Sequence, residues 1–99
     1  MSEYPTKETL KQIEKWNVEK GTAVLLGLLQ DIWYWEDYLK LKQKGNKFKL
    51  ELHTGGWSGN EEIIRALRAS DFWMVYWQKS ERGGHYYFEG KLFDRKVKG

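Results

Sequence analysis

Hydrophobic residues recur at helical spacing along the first half of the chain. Residues 6–19 predict a helix that begins at Thr6, whose side chain can cap it. Thr22 can cap a second, longer helix that runs to about Lys44, where Gly45 would end it as a C′ glycine does. The apolar stripe of this longer helix consists of Leu25, Leu28, Leu29, Ile32, Trp35 and Leu39.

The second half changes period. Residues 47–53 alternate between apolar and polar, which predicts a half-buried strand. A short helix is expected at about 60–70, a strongly aromatic strand at 72–79, a hairpin turn at 80–84 and a third strand at 85–89. The element order is therefore α-α-β-α-β-β. This order predicts an α+β domain in which two N-terminal helices pack on a small three-stranded sheet.

The charge distribution separates a body from a tail. The 99 residues include 17 basic and 14 acidic side chains, for a net charge of +3. Four of the basic residues and one acid lie in residues 91–99, so residues 1–90 carry no net charge. We therefore predict a single domain over residues 1–90, followed by a basic C-terminal tail over residues 91–99.

One basic cluster remains within the body. Five lysines and no acid occur in residues 40–49, at positions Lys40, Lys42, Lys44, Lys47 and Lys49. A solvated helix end and strand face would explain this lysine strip, because lysine is favoured near a helix C-terminus. The alternative interpretation is a contact surface for phosphates. The sequence favours the solvated face.

Composition indicates the compartment. The chain has no cysteine, so disulfides and thiolate zinc sites do not hold the fold, and a reducing compartment is expected. The N-terminus is polar and charged, unlike a signal peptide. The longest apolar run, residues 23–29, is too short to cross a bilayer. We expect a cytoplasmic protein without a membrane partner.

The segment between His53 and Glu62 contains three glycines where a predicted strand runs into a predicted helix. Ser58 and Glu61 have the spacing of a capping box, so the helix should begin at Gly59 or Asn60. The first amides of a helix have no partner within it, and they favour an anion such as phosphate or carboxylate. This turn is the first candidate site.

Topology decides whether a second glycine-rich loop, residues 82–85, joins this site. A connection that contains a helix is typical of a parallel crossover, so strands 47–53 and 72–79 are expected to be parallel neighbours. The two loops would then meet at one edge of the sheet. In an antiparallel arrangement they would lie at opposite ends.

The combined site would suit a nucleotide-like anion. The amides of Gly59, Asn60 and Glu61 would hold the anion, Arg82 would neutralise it, and Trp57 could stack on a flat ring. The alternatives are glycines that only serve turns and polar residues that only cap or face solvent. The complete candidate ligand site is His53, Thr54, Gly55, Gly56, Trp57, Ser58, Gly59, Asn60, Glu61, Arg82, Gly83, Gly84, His85 and Tyr86.

The sequence contains no recognised motif for a nucleotide cofactor, a metal ion or catalysis. The loop has neither the Lys-Ser/Thr of a Walker A sequence nor G-x-G-x-x-G spacing, so no cofactor is assigned. His53 and His85 do not have the spacing of a metal motif, and no metal or catalytic residue is assigned. An enzyme that uses either histidine as general base is a third functional hypothesis, weaker than a ligand-binding protein or a protein- or nucleic-acid-binding factor.

Aromatic residues suggest a second surface. Six Trp, six Tyr and four Phe make up 16% of the chain. The aromatics of residues 33–35 and 72–77 cannot all point to one side, so the uncovered sheet face should keep an exposed aromatic layer. Such a layer would suit a partner or a homo-oligomer interface.

The motifs Thr54-Gly-Gly-Trp-Ser-Gly-Asn-Glu61 and Arg82-Gly-Gly-His-Tyr86 resemble a group of small uncharacterised proteins of tailed phages and prophages. The resemblance is strongest over residues 48–89. It implies an accessory phage protein in the bacterial cytoplasm, where such proteins often counter host defences.

Together, the candidate site and the resemblance predict a non-enzymatic protein that binds an anionic small molecule. A host protein is the other possible partner. The alternative is an accessory factor that binds protein or, less favoured, nucleic acid through its aromatic face and the lysine strip.

Overall fold

The computed structural model describes residues 5–92. These residues form a mixed α+β fold with four α-helices and one antiparallel sheet of four strands. The elements are α1 (Lys7–Glu14), α2 (Thr22–Ile32), β1 (Leu39–Lys44), β2 (Lys47–His53), α3 (Ser58–Arg68), α4 (Asp71–Tyr76), β3 (Trp77–Glu81) and β4 (His85–Lys91). Short 3-10 turns precede α2 and β1. The α+β class is confirmed, whereas the predicted element order and the count of three strands are wrong.

The predicted cap of α1 is confirmed. Thr6 is the N-cap, and its hydroxyl accepts a hydrogen bond from the Thr9 amide at 3.0 Å. The helix ends at Glu14, several residues earlier than expected, and a 3-10 turn over Val18–Lys20 follows. Thr22 does not cap α2: Gly21 is the N-cap, and the Thr22 hydroxyl lies 2.9 Å from the Tyr76 hydroxyl in the core.

The predicted long helix ends at Ile32, so its extension to Lys44 is wrong. Residues 39–44 are strand β1, which pairs with β2 through a two-residue turn at Gly45 and Asn46. Leu39 and Leu41 pack against the core from this strand. Gly45 therefore serves a hairpin turn instead of a helix end.

The predicted strand over 72–79 is wrong in its first part. Residues Asp71–Tyr76 are helix α4, and only Trp77–Glu81 is strand β3. Phe72 and Tyr76, four residues apart, are buried, whereas Met74 between them is 86% exposed. This burial pattern has the period of a helix and not of a strand.

The strand order in the sheet is β1-β2-β4-β3, and every pairing is antiparallel. The expected pairing of β2 and β3 as parallel neighbours is therefore wrong. The connection through α3 and α4 does bring β3 back in the same direction as β2, but β4 occupies the place between them. The C-terminal ends of β2 and β3 consequently lie at one edge of the sheet.

The helices cover one face of this sheet. Phe48, Leu50 and Leu52 of β2 and Phe88 of β4 are at most 2% exposed, and they join one core with the apolar faces of the helices. We call the opposite side the open face. The open face carries the alternate residues of the strands, and most of these are charged. Tyr87 is its tyrosine. An exposed aromatic layer on this face, as predicted from the sequence, is therefore not found.

Two further predictions concern the C-terminal tail and the absence of a membrane span. β4 extends through Lys91, one residue into the predicted basic tail, and residues 93–99 of that tail lie outside the described residues. Within residues 5–92, none of the helices has both the length and the apolar character needed to cross a membrane.

Candidate functional site

The two glycine-rich loops meet. The Thr54 amide donates to the Gly84 carbonyl at 2.9 Å, and His53 and His85 are directly opposite each other in the pairing of β2 with β4. The sequence predicted that the loops would meet only if β2 and β3 were neighbours. They meet because β4 is inserted between those strands and begins where β2 ends.

The contact between Thr54 and Gly84 requires glycine. Gly84 has a φ of +85°, and a β-carbon at this position would clash with the Thr54 hydroxyl. Thr54 is 1% exposed, and its hydroxyl accepts a hydrogen bond from the Gly56 amide at 3.3 Å. The junction of the two loops is thus a close-packed contact.

A groove of about 530 Å³ opens beside this junction, on the side of the sheet that the helices cover. Its walls are one side of α3 and the tips of both loops. The residues that line it are Thr54, Gly56, Glu61, Ile64, Arg65, Arg68, Gly83, Gly84 and Tyr86. Thr54, Gly56, Glu61, Gly83, Gly84 and Tyr86 were candidates from the sequence, and the two arginines were not.

The arginines give the groove its charge. Arg65 and Arg68 are exposed and three residues apart on α3, so they lie on neighbouring positions of one helix face. The Arg68 guanidinium carbon lies 5.0 Å from the centre of the Trp73 ring and 5.9 Å from that of Tyr86. Two aromatic rings therefore orient this cation at the groove. The sequence analysis missed these arginines, and the polar positions 61, 65 and 68 on one side of α3 were the signal that could have indicated them.

The N-terminus of α3, the predicted anion anchor, differs in local geometry from the sequence prediction. The helix begins at Ser58 with Trp57 as its N-cap, so the capping box expected from Ser58 and Glu61 is one residue out of register. The Glu61 amide donates to the Trp57 carbonyl at 3.1 Å. Asn60 is fully buried, so its amide does not reach a ligand in solution.

Aromatic side chains cover this helix end. The Trp57 ring lies against Gly59 and stacks on Tyr34 with ring centres 4.4 Å apart. The Asn60 side chain accepts from the Tyr34 amide at 3.0 Å and donates to the Tyr34 carbonyl at 3.1 Å. Trp57 therefore packs against the rest of the protein, and the contribution of Tyr34 was not foreseen.

Gly55 completes this packing. Its φ is +63°, and a β-carbon there would come within 2.7 Å of the rings of both Trp35 and Tyr38. Trp35 itself has a φ of +66°, which is unfavourable for a bulky residue. The segment 33–38 was predicted to be helical, and it instead forms a loop that holds the first glycine-rich turn in place.

The two histidines lie on the other side of the sheet from the groove. Their Nδ1 atoms are 2.7 Å apart, so one ring donates its proton to the other. His53 Nε2 also lies 3.3 Å from the Glu51 carboxylate. The two rings form a half-buried pair on the open face, and neither lines the groove.

A polar chain continues across the open face beside the histidine pair. The Tyr87 hydroxyl donates to the Glu81 carboxylate at 3.0 Å, and the Lys79 ammonium lies 3.4 Å from the same carboxylate. The hydrogen bond from Tyr87, with help from Lys79, holds the pKa of Glu81 below its ordinary value. The same bond raises the pKa of the Tyr87 phenol.

The structure thus divides the predicted site into four places: the groove, the covered helix end, the open face and the tip of the β3–β4 hairpin. Arg82 is exposed at the tip of the β3–β4 hairpin and does not line the groove. Among the described residues, no group of three or more potential ligands from His, Cys, Asp and Glu is placed to hold a metal ion.

Large exposed apolar residues lie away from the strands' open face. Met74, Val75 and Trp77 belong to α4 and the residue that follows it, and Trp35 and Tyr38 belong to the loop before β1. The Trp77 ring stacks on Trp73 with 12° between the ring planes. A partner or homo-oligomer interface through aromatic residues, which the sequence placed on the uncovered sheet face, stays a prediction.

In comparisons with known proteins, no family model, curated protein or solved structure matches the chain. The resemblance to small phage proteins therefore stays a prediction from the two motifs.

Proposed function

We propose that this protein is a non-enzymatic binding protein for an anionic, nucleotide-like ligand. The ligand occupies the groove between α3 and the two glycine-rich loops. The observation that carries the proposal is the meeting of those loops beside two arginines of one helix face. This differs from the site expected from the sequence, because the cations come from α3 and not from the hairpin tip.

The anion is assigned to Arg65 and Arg68. A guanidinium donates two parallel hydrogen bonds to phosphate or carboxylate, and it keeps its charge at any physiological pH. Glu61 is the single carboxylate among the described lining residues, so positive charge predominates in the groove. Arg68 is already oriented by Trp73 and Tyr86, which reduces the entropy lost when it binds.

A flat ring would occupy the apolar part of the groove. Ile64 and Tyr86 both line the groove, and the half-buried Tyr86 offers the larger apolar surface, since Ile64 is only 4% exposed. Nucleobases stack readily on aromatic side chains, and stacking does not depend strongly on the base. The combination of arginines with a tyrosine ring therefore suits a nucleotide better than a simple inorganic anion.

The proposal concerns binding and not catalysis. His53 and His85, the candidates for a general base, contact each other on the opposite face of the sheet. The described residues that line the groove include no histidine. If the phage resemblance is right, sequestration of a nucleotide signal would be a means of countering a host defence.

Native mass spectrometry of the protein purified under gentle conditions comes first, because it reports any co-purifying ligand by mass. Titration calorimetry with AMP, GMP, CMP, UMP and pyrophosphate then measures affinity. We expect Arg65→Ala to weaken binding about tenfold, which corresponds to about 1.4 kcal/mol. Arg82→Ala removes the same charge outside the groove and serves as the matched control.

The outcomes are distinct. Weaker binding in Arg65→Ala than in Arg82→Ala supports the groove. Equal losses would mean that only net charge matters, and a larger loss in Arg82→Ala would move the anion to the hairpin tip. A protein that purifies empty and binds none of the five probes contradicts the proposal.

A further inference from the structure

Six lysines from three strands lie on the open face, and five of them share one end of it. Because strand residues alternate between faces, every second residue of β1 and β2 points to the same side. These lysine rows consist of Lys40, Lys42 and Lys44 from β1, Lys47 and Lys49 from β2, and Lys91 from β4. The sequence favoured a solvated helix end for the first three, and that explanation fails because residues 39–44 are a strand.

The strand register sets like charges against each other. Lys44 lies opposite Lys47, and Lys47 in turn lies opposite Lys91 on its other side. Lys42 lies opposite Lys49 in the next row. Like charges directly opposite each other on antiparallel strands are destabilising. The fold therefore tolerates three repulsive pairs that almost any neutral residue would relieve.

These charges are not neutralised within the described chain. The cross-strand neighbours of the lysine rows include two carboxylates, Glu89 opposite Lys49 and Glu51 opposite Lys40. The ion pairs found in residues 5–92 involve Glu51 with His53 and Glu81 with Lys79 instead. Six lysines thus face solvent without a carboxylate of residues 5–92 within 4.0 Å, and the sequence beyond Lys91 adds further basic residues.

The lysine rows line a broad concave surface. A groove of about 760 Å³ is lined by five of these lysines, all except Lys40, and its other lining residues are Gln43, Phe48, Glu89 and Gly90. Alternate residues of a strand are about 6.6 Å apart, and neighbouring strands are about 4.8 Å apart. The lysine rows are therefore a two-dimensional grid of cations, which suits a chain of phosphates better than one phosphate.

We propose that the lysine rows bind the phosphate backbone of a nucleic acid. Charge complementarity supports this occupant, because lysine contacts to phosphates supply most of the sequence-independent affinity for nucleic acids. A membrane surface is the weaker candidate, since the rows carry no exposed apolar side chain that would enter a bilayer. This surface lies on the opposite face of the sheet from the ligand groove, so the two proposals stand or fall separately.

Fluorescence anisotropy tests the proposal with the full chain. The probes are a labelled 20-nucleotide oligo-dT and a labelled 20-base-pair DNA duplex, at salt concentrations from 50 to 200 mM. Logarithmic affinity should fall linearly with the logarithm of salt, by about 0.7 per contact for the single strand and about 0.9 for the duplex. Lys44→Glu with Lys47→Glu should lower the affinity at least tenfold and make the slope shallower.

A matched control separates the lysine rows from net charge. Lys7→Glu with Lys11→Glu makes the same charge change on exposed positions of α1, and it should weaken binding much less. The Lys44→Glu, Lys47→Glu variant keeps a like-charge pair at positions 44 and 47, now of two carboxylates, and makes the pair at positions 47 and 91 attractive. Its unfolding temperature should therefore stay close to that of the parent. If it does not fold, the neutral pair Lys42→Gln and Lys49→Gln carries the same test.

Binding of either probe that weakens with salt and depends on the lysine rows supports the proposal. Equal losses in the two charge-reversal variants, or affinity that does not change with salt, would overturn it. So would vesicles of phosphatidylserine and phosphatidylcholine that bind the protein under conditions where neither oligonucleotide does.

Discussion

On the covered face of the sheet, Phe48, Leu50 and Leu52 of β2 are at most 2% exposed, whereas Lys47 and Lys49 of the same strand face solvent. The covered face gains stability from apolar burial. The open face includes three cross-strand pairs of like charge, which reduce stability. Residues that cost stability are candidates for function, so the open face is the more informative of the two.

The open face is itself divided. At one end, the lysine rows have no carboxylate partner among the described residues. At the other end, Glu51, His53, His85, Tyr87 and Glu81 form hydrogen bonds with one another or with their neighbours. One end therefore presents positive charge that no described carboxylate neutralises, while the polar groups of the other end hydrogen-bond to each other.

The largest expected effect tests the two faces on adjacent residues of one strand. Leu50→Ala should destabilise the fold by about 2–5 kcal/mol, because it leaves a cavity in the core. Lys49→Ala should change stability by no more than about 0.5 kcal/mol. Chemical denaturation of both variants measures the difference. Similar losses would mean that Lys49 has a structural role that its exposure does not indicate.

The second effect tests the junction of the two glycine-rich loops. Gly84→Ala should cost about 1–3 kcal/mol, since it combines an unfavourable φ with a clash against Thr54. Gly56→Ala is the control: its φ of +78° is similar, but no atom lies within 4 Å of the new β-carbon. Denaturation should therefore show a smaller loss at Gly56.

A double-mutant cycle isolates the clash at this junction. Thr54→Ala removes the hydroxyl that a β-carbon at Gly84 would meet. The double variant should be more stable than the sum of the two single changes predicts. Strict additivity would show that the φ of Gly84, and not the contact with Thr54, demands glycine.

The sequence predicted the elements in which local pattern and tertiary environment agree. Alternation over 47–53 identified β2, and the apolar positions of α3 identified that helix. β1 was missed because Leu39 also continues the helical stripe of Ile32 and Trp35, and lysine is a good helix former. Only the pairing with β2 decides between the two, and that pairing is not local.

A similar conflict explains α4 and the site. Six residues rich in aromatics favour a strand by propensity, yet burial of Phe72 and Tyr76 makes them a helix. The meeting of the glycine-rich loops was predicted from the wrong strand order. The groove's arginines were missed because a charged helix face is usually only solvated. The sequence also does not show that the two glycine-rich loops face this side of α3.

The smallest expected effect concerns the polar end of the open face and depends on pH. The pKa of Glu81 is lowered by its bond from Tyr87, so this stabilisation is present above the unfolded carboxyl's pKa of about 4.3 and is lost as pH falls through the folded value. The pKa of Tyr87 is raised, so its share is present below about pH 10 and is lost as pH rises through the folded value.

Tyr87→Phe should therefore lower the unfolding temperature between about pH 4.3 and 10 and have progressively less effect outside that window. The effect should be small, since both groups are in contact with solvent. Thermal unfolding of the parent and the variant from pH 3 to 11 measures it. Tyr38→Phe is the control, because the Tyr38 hydroxyl makes no hydrogen bond with a described residue. A Tyr87→Phe difference that is constant with pH would mean that ring packing, and not the bond to Glu81, is what the variant disturbs.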